Sequence, residues 1–114
     1  MDIKTRTKDG STIIEIIGSL DGNTVNEAQE IILPLISSSN VSMVLDMKEC
    51  GYVSSAGLRL LLMAAKQLSV QNGVLVLSGL SDEIQDVMEM TGFNNFFKTF
   101  DSVDSALDAL RKGV

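Results

Sequence analysis

Histidine is absent from all 114 residues. That removes the base of any histidine-dependent serine nucleophile. With Cys50 as the single cysteine, it also leaves no ligand set for a zinc site. One cysteine cannot form an internal disulfide, so the simplest compartment is the reducing cytoplasm. No run of about 18 apolar residues exists, which excludes a transmembrane helix. The opening Met1-Asp2-Ile3-Lys4-Thr5-Arg6 lacks the apolar region of a signal peptide. Positive charge is scarce: 9 basic residues stand against 15 acidic ones, for a net charge of −6. No basic patch is visible, which argues against nucleic-acid binding and against an anionic membrane surface. No phosphate-binding loop of the Gly-x-x-x-x-Gly-Lys-Ser/Thr form occurs. Gly51 stands three residues before Ser54, so the Gly-x-Ser-x-Gly spacing of a hydrolase elbow fails. The acidic residues are scattered, and pairs such as Asp82-Glu83 read as solvated helix starts. An enzyme is the weaker class, and no cofactor or metal is expected.

What is present suits one domain over residues 1–114. Apolar residues make up 45% of the chain, the usual globular share. A chain of this mass buries roughly 65% of its unfolded surface, enough for one core without staples. Residues 1–8 read as a weak strand, and Asp9-Gly10 is a hairpin signal. Thr12-Ile13-Ile14-Glu15-Ile16-Ile17 is a β-branched strand that ends at Gly18 and pairs antiparallel with the first. A helix starts near Thr24, where Thr24-Val25-Asn26-Glu27 has the form of a capping box. Val25, Ala28, Ile31, Ile32, Leu35 and Ile36 give it a buried stripe. Pro34 is expected to bend this helix near Glu30 or to end its regular part early. Ser37-Ser38-Ser39-Asn40 reads as a loop.

Val41 to Met47 forms the next strand, and a second helix runs from Ser54 or Ser55 to about Gln71. Asn72-Gly73 supplies its left-handed stop. Val74-Leu75-Val76-Leu77 is a strand buried on both faces. A third helix starts at Ser81, and Gly92 stops it. Phe96 to Phe100 forms a short strand, and a last helix opens at Asp101 or Ser102. Strands alternating with helices imply parallel pairing with right-handed crossovers. The expected fold is α/β: a small mixed sheet with an N-terminal antiparallel hairpin and about four helices packed on it.

The junction Tyr52-Val53-Ser54-Ser55-Ala56-Gly57-Leu58-Arg59 is the most informative stretch. Its two serines open the second helix, where serine is a favoured cap. They are equally placed to take a phosphate, which adds close to two negative charges in one step. Along this helix Leu58, Leu61, Leu62, Ala65 and Leu68 form the expected core stripe. Leu60, Met63 and Ala64 fall outside it, either as an exposed apolar interface or under a neighbouring element. Cys50 reads as a plain, partly buried thiol.

Three segments together resemble the STAS domain, in particular the stand-alone bacterial anti-sigma factor antagonists. They are Gly18-Ser19-Leu20-Asp21 after the second strand, Val44-Leu45-Asp46 in the third, and Tyr52 to Leu58 at the second helix. The element order and length extend the resemblance over nearly the whole chain. It implies a partner switch. The unmodified antagonist binds an anti-sigma factor that is also a serine kinase with a histidine-kinase-like ATPase fold. Phosphorylation of one antagonist serine breaks the complex, and a serine phosphatase resets it. The free chain is expected to be monomeric. The family motif reads Asp-Ser-Ser/Ala-Gly-Leu, so alignment on Gly57-Leu58 places the phosphoacceptor at Ser55, with Ser54 as second choice. Ser54 then stands where the family has aspartate. The implied partner surface comprises Asp21, Gly22, Asn23, Ser54, Ser55, Ala56, Gly57, Leu58, Arg59, Leu60 and Met63. Because Ser54 replaces the aspartate, a non-switching STAS scaffold or transporter-associated subunit is the alternative role.

Overall fold

The computed structural model describes residues 1–36 and 41–113, so the loop expected at residues 37–40 lies outside the described residues. The chain begins with two strands, β1 (Asp2–Lys8) and β2 (Ser11–Leu20). Asp9 and Gly10, with φ of 53° and 78°, turn the hairpin between them, the left-handed pair that matches strand twist. Helix α1 (Val25–Ile36), β3 (Ser42–Asp46) and β4 (Cys50–Val53) follow, then α2 (Ser55–Val70), β5 (Val74–Ser78) and α3 (Asp82–Thr91). A 3-10 turn (Phe93–Phe96), β6 (Lys98–Phe100) and α4 (Val103–Arg111) complete the described chain.

The strands lie in the order β1-β2-β3-β5-β6, with β4 paired to the far end of β2. Only β1–β2 is antiparallel; β2–β3, β3–β5, β5–β6 and β2–β4 are parallel. Alternation along the strands splits the core in two. Ile14, Ile16, Met43, Leu45, Leu75 and Leu77 share one core with buried residues of α1, α2 and α3. Ile13, Val44 and Val76 point to the opposite face and pack with Ala106 and Leu107 of α4. This explains why β3 and β5 read as continuous apolar runs: both faces are covered.

Helix boundaries follow local chemistry. Ser81 and Ser102 cap α3 and α4 through their side chains, each satisfying an otherwise free amide. Gly92, at φ 78°, ends α3, and Asn72, at φ 62°, turns the chain after α2. At the C-terminal end of α4, Lys112 and Arg111 beside Asp108 hold its carboxyl below the usual range.

Four expectations need correction. Gly18 does not end β2; at φ 104° it marks an irregularity in the β2–β4 register, and the strand continues to Leu20. Up to Glu15 the strand pairs with β3, and from Gly18 onward with β4. β4 was not anticipated, because four residues containing Gly51 carry little strand signal. Pro34 does not end α1 early, since the helix runs on to Ile36. Ala28, Ile32 and Ile36 are fully buried on both sides of the proline, and that burial outweighs one lost backbone hydrogen bond. Finally, the strand expected from Phe96 starts at Lys98, because Phe93–Phe96 form the 3-10 turn instead.

Ile32 has no exposed surface. Ile32→Ala should lower unfolding free energy by about 2–5 kcal/mol, read from urea denaturation. A loss below about 0.5 kcal/mol would mean that α1 does not pack as described.

Candidate functional site

The site is built where α2 meets the end of β2. Parallel pairing sets Ser19 against Tyr52 and Leu20 against Val53. The two strands therefore finish side by side, and the turn after β2 and the start of α2 emerge at one sheet edge.

Ser54 occupies the cap position of α2, with extended backbone at φ −85° and ψ 176°. Its N–H donates to the Leu20 carbonyl at 2.9 Å. Its hydroxyl accepts from the Gly57 N–H at 3.3 Å, and its carbonyl accepts from the Leu58 N–H at 2.9 Å. Ser54 is thus committed to holding the helix start. Ser55, the first helical residue, is exposed, and its hydroxyl makes no hydrogen bond among the described residues.

Gly57 makes this junction possible. A Cβ there would sit 2.6 Å from the Leu20 carbonyl oxygen and 2.9 Å from Val53 Cγ1. The first turn of α2 therefore lies directly against the end of β2, at a distance that only glycine permits.

The turn after β2 is tied to itself. The Asp21 N–H donates to Thr24 Oγ1 at 3.0 Å, and the Thr24 hydroxyl donates to the Ser19 carbonyl at 2.8 Å. The Asn23 N–H donates to Asp21 Oδ1 at 2.9 Å. The capping box expected at Thr24–Glu27 is replaced by this arrangement: the Thr24 hydroxyl closes the turn behind it. Gly22 is not required by the turn, since it lacks a left-handed φ and a Cβ there would meet nothing within 4 Å.

The residues named from sequence fall into three groups. Asp21, Gly22, Asn23, Ser54 and Ser55 share the edge. Ala56, Arg59 and Met63 line a shallow hollow of about 230 Å³ between α1 and α2, with Val25 and Gln29 opposite. Gly57, Leu58 and Leu60 are buried. Of the two readings open for Leu60 and Ala64, cover by a neighbouring element holds: they are 3% and 1% exposed, and Leu60 also lines the hollow between α1 and α2. The buried stripe of α2 is broader than a single sheet contact requires because α1 packs alongside it. Leu62 and Ala65, placed in the core stripe, are only partly buried.

Sequence reasoning missed Tyr52 as a surface residue; it is 56% exposed on β4 beside the site. It also missed the part Val25 and Gln29 play in the hollow, since Val25 had been assigned wholly to the core. Cys50 is buried, and burial pushes its thiol above the ordinary range, partly offset by backbone contacts with Tyr52 and Leu20. A larger, acid-rich hollow of about 490 Å³ lies among Arg6, Glu15, Asp46, Lys48, Asp101 and Asp104 and shares no residue with the Ser55 edge. Among the described residues no group of three or more histidine, cysteine or acidic side chains could hold a metal, and no helix is long and apolar enough to cross a membrane.

A mixed sheet with three helices on one face and one on the other carries, beside the end of β2, a serine pair that opens α2. The STAS domain family model matches residues 2–106, and the chain belongs to that family. Among its relatives is BtrV of Bordetella bronchiseptica, named for an anti-sigma factor antagonist role. The two are 31% identical over 93% of this chain and 91% of BtrV. The solved anti-sigma factor antagonist of Mycobacterium paratuberculosis shares the fold with a TM-score of 0.88 at 21% identity, covering 96% of this chain and 93% of that one. The Bacillus cell fate determinant SpoIIAA, solved in its phosphorylated form, superposes with a TM-score of 0.74 at 18% identity, covering 96% of this chain and 99% of that one.

Alanine at position 57 would gain about 1 kcal/mol of helix propensity. It would also force its Cβ into the Leu20 carbonyl, and overpacking of this kind costs about 1–3 kcal/mol. The clash should win, so Gly57→Ala lowers the urea midpoint, while Gly22→Ala leaves the unfolding free energy within about 0.5 kcal/mol of wild type. Equal midpoints for the two variants would contradict the close contact.

Proposed function

We propose that this chain is an anti-sigma factor antagonist that works as a phosphorylation-controlled partner switch, with Ser55 as the acceptor. One observation carries the choice of residue. Ser54 is held at its N–H, hydroxyl and carbonyl, whereas the Ser55 hydroxyl is exposed and unengaged. The relative named for the antagonist role supports the class of partner. The phosphorylated SpoIIAA structure shows that this fold occurs in a phosphorylated form.

In this reading residues 1–114 act as one domain without catalytic activity of their own. The unmodified chain, monomeric and cytoplasmic, binds an anti-sigma factor that is also a serine kinase with a histidine-kinase-like ATPase fold. The bond between Ser55 Oγ and the γ-phosphorus of ATP forms as the bond to the bridging oxygen breaks. ADP leaves, and the hydroxyl proton passes to a base on the kinase. A serine phosphatase hydrolyses the ester and returns the chain to its binding form.

The phosphate lies at the start of α2, where the helix dipole favours negative charge. Modification therefore leaves the domain folded. Its effect falls on the interface: an unpaired dianion buried against a partner costs several kcal/mol, and about 4 kcal/mol weakens a complex roughly a thousandfold. Asp21, in the neighbouring turn, retains one carboxylate oxygen for a partner while the other holds the Asn23 N–H.

Incubation with the partner kinase and ATP should place one phosphate on Ser55. Ser55→Ala should bind constitutively, and Ser55→Asp should bind at least about 10-fold more weakly, which corresponds to roughly 1.4 kcal/mol. Ser54→Ala should lose about 1 kcal/mol of stability through its cap yet still be labelled at Ser55. An unlabelled Ser55 together with normal binding by Ser55→Asp would overturn the switch and leave a non-switching STAS scaffold or transporter-associated subunit.

A further inference from the structure

Arg59 follows Ser55 by four positions on α2, and both side chains are exposed. Residues at this spacing stand one above the other on a helix face, with Cβ atoms about 5–6 Å apart. Long helical side chains favour rotamers that lean back toward the N-terminus, which puts the Ser55 position within the range of an arginine at position 59. Nothing on the helix competes for it. Its neighbours at three and four positions are Ser55, Ala56, Leu62 and Met63, and the first turn of α2 contains no acidic residue. Among the described residues the guanidinium enters no salt bridge; the pairs are Lys8–Asp104, Arg111–Asp108 and Lys112–Asp108. Across the hollow, α1 faces it with the uncharged Val25 and Gln29. Asp21 lies in the turn before α1 and Glu27 in the first turn of α1, and neither is paired with Arg59 among the described residues.

We propose that Arg59 is the built-in receptor for the phosphate on Ser55, so that modification also reshapes the surface of α2; the idea rests on the Ser55 reading given above. In the unmodified chain Arg59 stands between two hollows. One is the 230 Å³ hollow that it shares with Ala56 and Met63, and the other, of about 370 Å³, is formed with Leu62, Met63, Lys66 and Gln67. A dianion on Ser55 offers the guanidinium charge-assisted, bidentate hydrogen bonds. The arginine then moves toward the helix start and is withdrawn from the surface beside Met63. A single modification thus adds negative charge at the edge and removes a positive group from the hollow. This second effect is one that aspartate at position 55 reproduces only weakly, since it carries one charge and a shorter reach.

The test uses the full chain with phosphoserine installed biosynthetically at position 55, so it does not depend on which serine a kinase selects. The second ionisation of the phosphate is followed by 31P NMR at low ionic strength in wild type, Arg59→Lys and Arg59→Gln. A neighbouring cation favours the dianion. The wild-type midpoint should therefore lie below that of Arg59→Gln by roughly 0.2–0.4 pH unit. The gap should shrink in about 1 M salt, where charges are screened within about 3 Å. Arg59→Lys should retain part of the gap, which separates charge from side-chain loss. The Met63 amide should shift on phosphorylation in wild type and not in Arg59→Gln. Coincident titration curves for wild type and Arg59→Gln would overturn the pairing and leave the Ser55 switch standing. Labelling of another serine by the kinase would instead sink the assignment of Ser55.

Discussion

The Leu20 carbonyl is the point on which the site turns. It accepts the Ser54 N–H at 2.9 Å, and it lies 2.6 Å from where a side chain at position 57 would begin. One atom therefore fixes both the start of α2 and the need for glycine one turn in. Because β2 and β4 end together, the same contact brings the Asp21 turn alongside the serines. Ser54 then has its hydroxyl and backbone occupied in holding the junction. The next residue is left exposed, with nothing structural asked of its hydroxyl. A rigid cap followed by a free hydroxyl can be modified without loosening the fold beneath it.

Charge gives that geometry its consequence. The chain already carries a net charge of −6, yet the outward face near Ser55 has Arg59 and no acid in the first helical turn. A phosphate there meets the favourable end of the helix dipole and a nearby cation, so the domain tolerates it. A partner that buries the same surface does not, because removing a dianion from water costs several kcal/mol unless it is paired. On the proposed reading, this asymmetry between a tolerant fold and an intolerant interface is what lets one serine act as a switch. With Ser54 immediately before Ser55, the acid on this edge is Asp21 in the neighbouring turn rather than the adjacent residue.

Most of the fold was legible because local signals agreed with the global arrangement. Ser81, Ser102 and Gly92 mark helix ends by their own chemistry, and the apolar runs of β3 and β5 show burial on both faces. The errors came where tertiary contact overrode local preference. Gly18 looked like a stop, but it marks the point where β2 exchanges one partner strand for another. Pro34 was expected to bend α1 or to end it early; the helix runs on to Ile36, with buried residues on both sides of the proline. Leu60 fell outside a stripe drawn for one packing surface, whereas α2 also meets α1. At the site, the motif identified Ser54, Ser55 and Gly57 together. The division of labour between the two serines, and the contact that demands Gly57, belong to the β2–β4 pairing, which four short residues did not announce.

Isolation of the chain from its host, with phosphosite mapping of its free and partner-bound fractions, bears most directly on the account. The account predicts phosphate on Ser55 in the free fraction and unmodified Ser55 in the bound one. Phosphate on Ser55 in the bound fraction, or an unmodified Ser55 in both, would contradict it.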